Sequence, residues 1–187
     1  MGYVGQVKIT GSVTSDGELI KINVRNDVKG NCSGVVSQGG VTTRFVSTHD
    51  AAYVQGNAKF WSQSVGADAA RTMAYLHGRW EKTRPSERFA HLCSTRLLLA
   101  ARFDSGTEIV GQNSTVSAVQ RFNGHEVVEV TGTRGKERDR FLVEVANPHR
   151  IFRLSSDSPS EPGQLVFEYD DSRLVAVPSL SESVQVP

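Results

Sequence analysis

Apolar and polar residues alternate from Val7 onward, with Val7, Ile9, Gly11 and Val13 on one parity against Lys8, Thr10 and Ser12. A period of two is that of a half-buried strand. Asp16-Gly17 marks a turn, after which Ile20, Ile22 and Val24 oppose Lys21, Asn23 and Arg25, so the two runs predict a hairpin. Lys29-Gly30-Asn31 is the next reversal. Cys32 to Gln38 and Val41 to Thr48 flank Gly39-Gly40 as a third and fourth strand, and His49-Asp50 turns into a short strand around Tyr53. Strands at this spacing predict an antiparallel meander.

The period then changes. Asn57 can cap a turn that holds Phe60 and Trp61, and Asp68 to Leu76 sets Ala69, Met73 and Leu76 along one helical stripe, with Gly78 as the stop. Pro85 suits the first turn of a second helix. Its stripe is Phe89, Leu92, Cys93 and Leu97, and Leu98 to Ala101 makes it apolar nearly all round until Asp104-Ser105-Gly106. Two-residue alternation returns in Val116–Phe122, Val127–Thr131, Phe141–Val145, Ile151–Leu154 and Leu165–Tyr169. Asn123-Gly124, Arg134-Gly135, Asn147-Pro148 and Pro162-Gly163 separate these runs. Strands, then helices, then strands predict an α+β domain with helices packed on one face of a curved antiparallel β-sheet. Ser155 to Gly163 reads as an exposed loop. The domain is expected to span 1–178, with 179–187 a frayed C-terminal tail.

A chain of 187 residues suits one domain and can bury about 70 % of the surface its unfolded form would expose. Its 21 Lys and Arg against 20 Asp and Glu are spread without long single-sign runs, which argues against nucleic acid as a partner. No apolar run approaches the roughly 18 residues of a membrane span, and Met1-Gly2-Tyr3-Val4 carries neither the basic nor the apolar part of a signal peptide. Two cysteines, Cys32 and Cys93, fit either one disulfide or two unrelated buried thiols.

Signals for chemistry are absent from the sequence. No nucleophile elbow or phosphate loop interrupts the meander, and Cys32 has no neighbouring base to raise its nucleophilicity. The histidines at 49, 77, 91, 125 and 149 lack metal-ligand spacing. The expectation is a non-enzyme with no catalytic residues, no metal and no cofactor. Arg134, Lys136, Arg138 and Arg140 alternate with Glu137 and Asp139; along one strand they would form a basic stripe able to meet an anionic head group or membrane surface, or simply a solvated hairpin tip. Trp61 and Trp80 bracket the first helical segment as either an aromatic rim or partly buried anchors.

Several short motifs together resemble the LppX/LprG-type actinobacterial lipoproteins, whose fold is similar to the lipoprotein carrier LolA. They are the Cys32 strand with Gly34 and Gly39-Gly40, the Tyr53 strand, Phe60-Trp61, Gly78-Arg79-Trp80, and the Cys93 helix. Val143-Glu144-Val145-Ala146 before Pro148-His149-Arg150-Ile151, and Phe167-Glu168-Tyr169-Asp170 with Val177-Pro178, complete the set. The resemblance implies a half-barrel sheet with helices on its concave face and an apolar cavity between them. It also implies a Cys32–Cys93 disulfide and an extracytoplasmic, cell-envelope location, with signal and lipid anchor outside this chain. The function implied is binding or carriage of a lipid or glycolipid by a monomer. Candidate lining residues, taken from the apolar strand faces and the helix stripe, are Ile20, Ile22, Val24, Phe45, Leu97, Leu98, Phe141, Val143, Phe152 and Phe167. The same residues could instead fill an ordinary core. That alternative is a solidly packed structural or sensor domain of the same fold that acts through a protein partner.

Overall fold

The computed structural model describes residues 6–85, 89, 92–93, 114–134, 137–169 and 173–186. Its first five strands form the expected meander: β1 (Val7–Ser15), β2 (Glu18–Asn26), β3 (Cys32–Gln38), β4 (Val41–Ser47) and β5 (Ala52–Gly56). The β3–β4 hairpin turns on Gly39 and Gly40 at φ 55° and 80°, both in the left-handed region that a tight two-residue turn requires. Helix α1 (Ala58–Val65) starts where Asn57 accepts a 2.9 Å hydrogen bond from the Phe60 N–H. A 3-10 turn (Gly66–Asp68) leads into α2 (Ala69–Leu76), which ends with His77 left-handed at φ 47°. In α2 the buried stripe is Ala69, Thr72 and Leu76, while Met73 is 39 % exposed.

Strand β6 (Trp80–Thr83) follows, then β7 (Ser114–Val116), β8 (Gln120–Phe122), β9 (His125–Arg134), β10 (Glu137–Glu144), β11 (Ile151–Ser156), β12 (Gly163–Glu168) and β13 (Ser183–Val184). The strand order is β13-β6-β5-β4-β3-β2-β1-β12-β11-β10-β9-β7, with β8 on β9. All pairings are antiparallel except the short β13–β6 contact. The fold class is α+β, an open and mainly antiparallel sheet carrying helices on one face. Four local expectations differ. Ser155–Gly163 is not simply an exposed loop, since Ser155 and Ser156 end β11, Gly163 starts β12, and Ser156 and Ser158 are buried. Trp80–Thr83 is a strand, the run Val116–Phe122 is split between β7 and β8, and the segment expected to fray supplies β13.

Register explains how one face becomes apolar. Glu81, Val54, Phe45, Gly34, Val24, Ile9 and Phe167 form one transverse row from β6 to β12. The adjacent row carries Val36, Ile22, Leu165, Leu154, Phe141 and Val130 as far as β9. Phe60, Trp61, Leu76 and Phe89 join these strand residues in a single core cluster, so strands from β5 to β10 curl around the helical layer. Phe89 stacks on Phe45 at 4.7 Å. A disulfide links Cys32 of β3 to Cys93, with 5.6 Å between Cα atoms, and ties the helical layer to the inner face. Close approach is also built into Gly56: a Cβ there would lie 2.1 Å from the Phe60 ring.

Candidate functional site

Seven of the ten candidate lining residues, Ile20, Ile22, Val24, Phe45, Phe141, Val143 and Phe167, belong to or pack against the inner cluster. Leu97 and Leu98 lie outside the described residues. Phe152 departs from the alternation, because β10 and β11 shift register between Leu142 and Val143. At such a bulge two residues oppose one and the extra side chain changes sides. Phe152 therefore packs with Val127 and Leu142 on the outer face, not with Phe141 and Leu154. Most of the inner strand residues are enclosed: Ile9, Phe45 and Phe167 are at most 1 % exposed. Polar groups interrupt the layer: Thr43 lies opposite Val36, and Asn26, opposite Val7, donates to the Cys93 carbonyl. Glu81, opposite Val54, is half-buried, and burial raises its carboxyl pKa above the ordinary value. A charged residue inside a short run hid β6 from pattern reading.

The outer face carries two further features. Between α1, α2 and the outer side of β4–β5 lies a cavity of about 420 Å³ lined by Thr42, Arg44, Gln55, Trp61, Met73, Leu76 and Arg79, among others. Beside it, a groove of about 520 Å³ runs between the outer face of β2–β4 and the segment Leu174–Pro178, and shares Arg44. That segment is fastened at Val175. Val175 is buried against Val46, Ala51 and Tyr53, and its N–H donates to Asp27 Oδ2 at 3.1 Å. Asp27 also accepts from the N–H groups of Lys29 and Asn31 at 2.8 and 2.9 Å. Burial alone would raise the Asp27 pKa, but the bonds from Val175, Asn31 and Lys29 outweigh it and hold the carboxyl below its ordinary value.

At the other end of the outer face, Glu144 is buried beside His125 and Arg150. Its oxygens accept from Arg150 Nε at 2.7 Å and Nη2 at 3.0 Å, and meet His125 Nδ1 at 2.9 Å. The Arg150 hydrogen bonds, set against burial, bring its pKa down to about 2. Arg150 lies over the rings of Phe152 and Tyr169, and the Tyr169 hydroxyl donates to Ile151 O at 2.7 Å. Burial pushes that phenol up to about 12. Both Glu144 oxygens are taken by protein groups, so the cluster ties β9 and β10 to the residue that enters β11. The basic run does not form one stripe: Arg134 ends β9 opposite Glu137, and Arg140 makes a two-pronged bond to Asp157 at 3.1 and 2.6 Å. Trp80 is an anchor beneath Arg44, and Trp61 is 3 % exposed.

Among the described residues, no group of three or more His, Cys, Asp or Glu is placed to hold a metal ion, and no helix is long and apolar enough to cross a membrane. No protein-family model matches the chain, and no curated protein matches it. Solved structures do. The chain is similar to the lipoprotein LppX of Mycobacterium tuberculosis, at 14 % identity and a TM-score of 0.45, over 88 % of this chain and 85 % of that one. It is similar to LprF from Mycobacterium bovis at 15 % identity and a TM-score of 0.47, over 94 % and 89 % of the two chains. An uncharacterized conserved protein from Thermus thermophilus matches at 10 % identity and a TM-score of 0.39, covering 98 % and 91 %. LppX and LprF are of the type that the sequence motifs resemble; these likenesses concern the course of the chain alone.

Proposed function

We propose that this domain binds or carries a lipid or lipid-modified molecule in the apolar space between sheet and helices, outside the cytoplasm and without bond chemistry. What supports the reading is the inner layer itself: apolar rows continue from β5 to β10 beneath a helical cover, in a sheet that stays open at β13 and β7. Each Å² of acyl surface taken from water would contribute about 25 cal/mol, against the entropy of ordering the chain. The Cys32–Cys93 bridge suits an oxidising compartment such as the cell envelope. The test is native mass spectrometry and organic extraction of the protein made in a lipid-rich host. Co-purifying acyl species at a fixed stoichiometry are expected; a bare protein mass, with no glycolipid or fatty-acid uptake on incubation, refutes it.

The near-complete burial of Ile9, Phe45 and Phe167 favours a second reading, in which the interior is filled by its own side chains and the domain works through a protein partner. Bare mass together with capture of one defined envelope protein would select that alternative.

A further inference from the structure

We propose that the cavity between α1, α2 and the outer side of β4–β5 is a separate binding site for a single-chain anionic amphiphile of the fatty-acid type. Its apolar wall, Trp61 and Leu76, is shared with the inner core cluster, whereas its two arginines are not; the inference does not depend on the reading above. The cavity of about 420 Å³ falls in the range of small-ligand sites. Its lining residues include two cations, Arg44 and Arg79, and no Asp or Glu. Both guanidiniums are positioned by neutral groups. Arg44 lies 5.4 Å over the Trp80 ring, and Arg79 donates to the Leu76 and Tyr75 carbonyls at 3.2 Å each. Among the described residues neither is paired with a carboxylate.

Two like charges held at one cavity whose described lining carries no carboxylate favour an incoming anion, and the planar guanidinium fork matches a carboxylate. The amides in the lining are already engaged: Gln55 donates to Gly78 O at 2.6 Å and Asn57 to Gly40 O at 2.8 Å. An anion alone would leave the rest of the cavity unfilled. Trp61 and Leu76, each 3 % exposed, supply an apolar wall, and Met73, 39 % exposed on α2, offers an adaptable thioether at the same cavity. Head-group charge and an alkyl chain are both needed to satisfy this lining.

Laurate, titrated below its micelle concentration, is the probe. Calorimetry should show saturable one-to-one binding, accompanied by a shift of the Trp61 indole ¹⁵N–¹H resonance, assigned with Trp61→Phe. Arg44→Gln and Arg79→Gln should each weaken laurate about tenfold, the loss of one charge-assisted hydrogen bond. Dodecyl maltoside, which lacks the charge, and inorganic phosphate, which lacks the chain, should each bind at least about tenfold more weakly than laurate. Met73→Glu, an exposed helix substitution that keeps both arginines, should likewise weaken laurate if the arginine variants fold poorly. The proposal is overturned by no laurate binding, by unchanged affinity in folded arginine or Met73→Glu variants, or by equal binding of either control. Acyl species that co-purify equally with the parent and the folded arginine variants belong to the inner layer, and those lost with either arginine belong to this cavity, so either reading can fail without the other.

Discussion

Replacing Glu144 with Gln should remove one identifiable part of the pH dependence of folding. The side chain is only 6 % exposed and both oxygens are occupied, by Arg150 at 2.7 and 3.0 Å and by His125 at 2.9 Å. Its pKa falls from 4.5 to about 2 in the folded protein, and at about 1.4 kcal/mol per pH unit this corresponds to about 3 kcal/mol. Because the folded value is the lower one, the contribution is fully present above pH 4.5 and is lost as pH falls toward 2. Glutamine keeps the shape but cannot titrate. Urea unfolding followed by tryptophan fluorescence, from pH 7 down to about pH 2, should show the parent protein ahead of Glu144→Gln by about 3 kcal/mol at neutral pH, with the gap closing through the acid range. Asp27, whose pKa is also lowered, is present in both proteins and cancels in the difference. Parallel stability profiles across the acid range would refute the assignment of this carboxylate as a buried, charged tie.

Opening the Cys32–Cys93 bridge with a double Ser substitution should cost about 4 kcal/mol for a closed loop of 61 residues, read as a lower urea midpoint that reductant no longer changes. Gly56→Ala should destabilise by about 1–3 kcal/mol through overpacking, since its Cβ would meet the Phe60 ring at 2.1 Å; an unchanged melting temperature would rule out that close approach. Asp27→Ala removes the acceptor of the Lys29, Asn31 and Val175 N–H groups, with an expected loss on the order of 3 kcal/mol. Limited proteolysis should then cut first within Leu174–Pro178, and resistance equal to the parent would show that other contacts hold this segment.

Alternation along single strands is enough to reveal most of the sheet, because half-buried strands must place every second residue inward. Charge and brevity conceal the rest. Glu81 occupies an inward position in β6 where an apolar residue would have signalled a strand, and Ser183–Val184 is too short to show any period. Phe152 falls on the unexpected face for a different reason: a register shift in β11 leaves no mark in a linear pattern. The Glu144 cluster is equally hidden, since His125 and Glu144 are 19 positions apart and meet only through the β9–β10 pairing. Arg44 and Arg79 look like ordinary surface residues until the helices fold across the end of β4–β5.

The seam between β1 and β12 has a consequence for assembly. Lys8 and Glu168, bonded across it, are 160 positions apart, while the neighbouring pairs on either side are joined through nearer strands. Closing so distant a contact is entropically costly and slow. Two half-sheets can therefore pair locally first, and the greasy interior that they share stays incomplete until the twelfth strand is synthesised and zipped against the first.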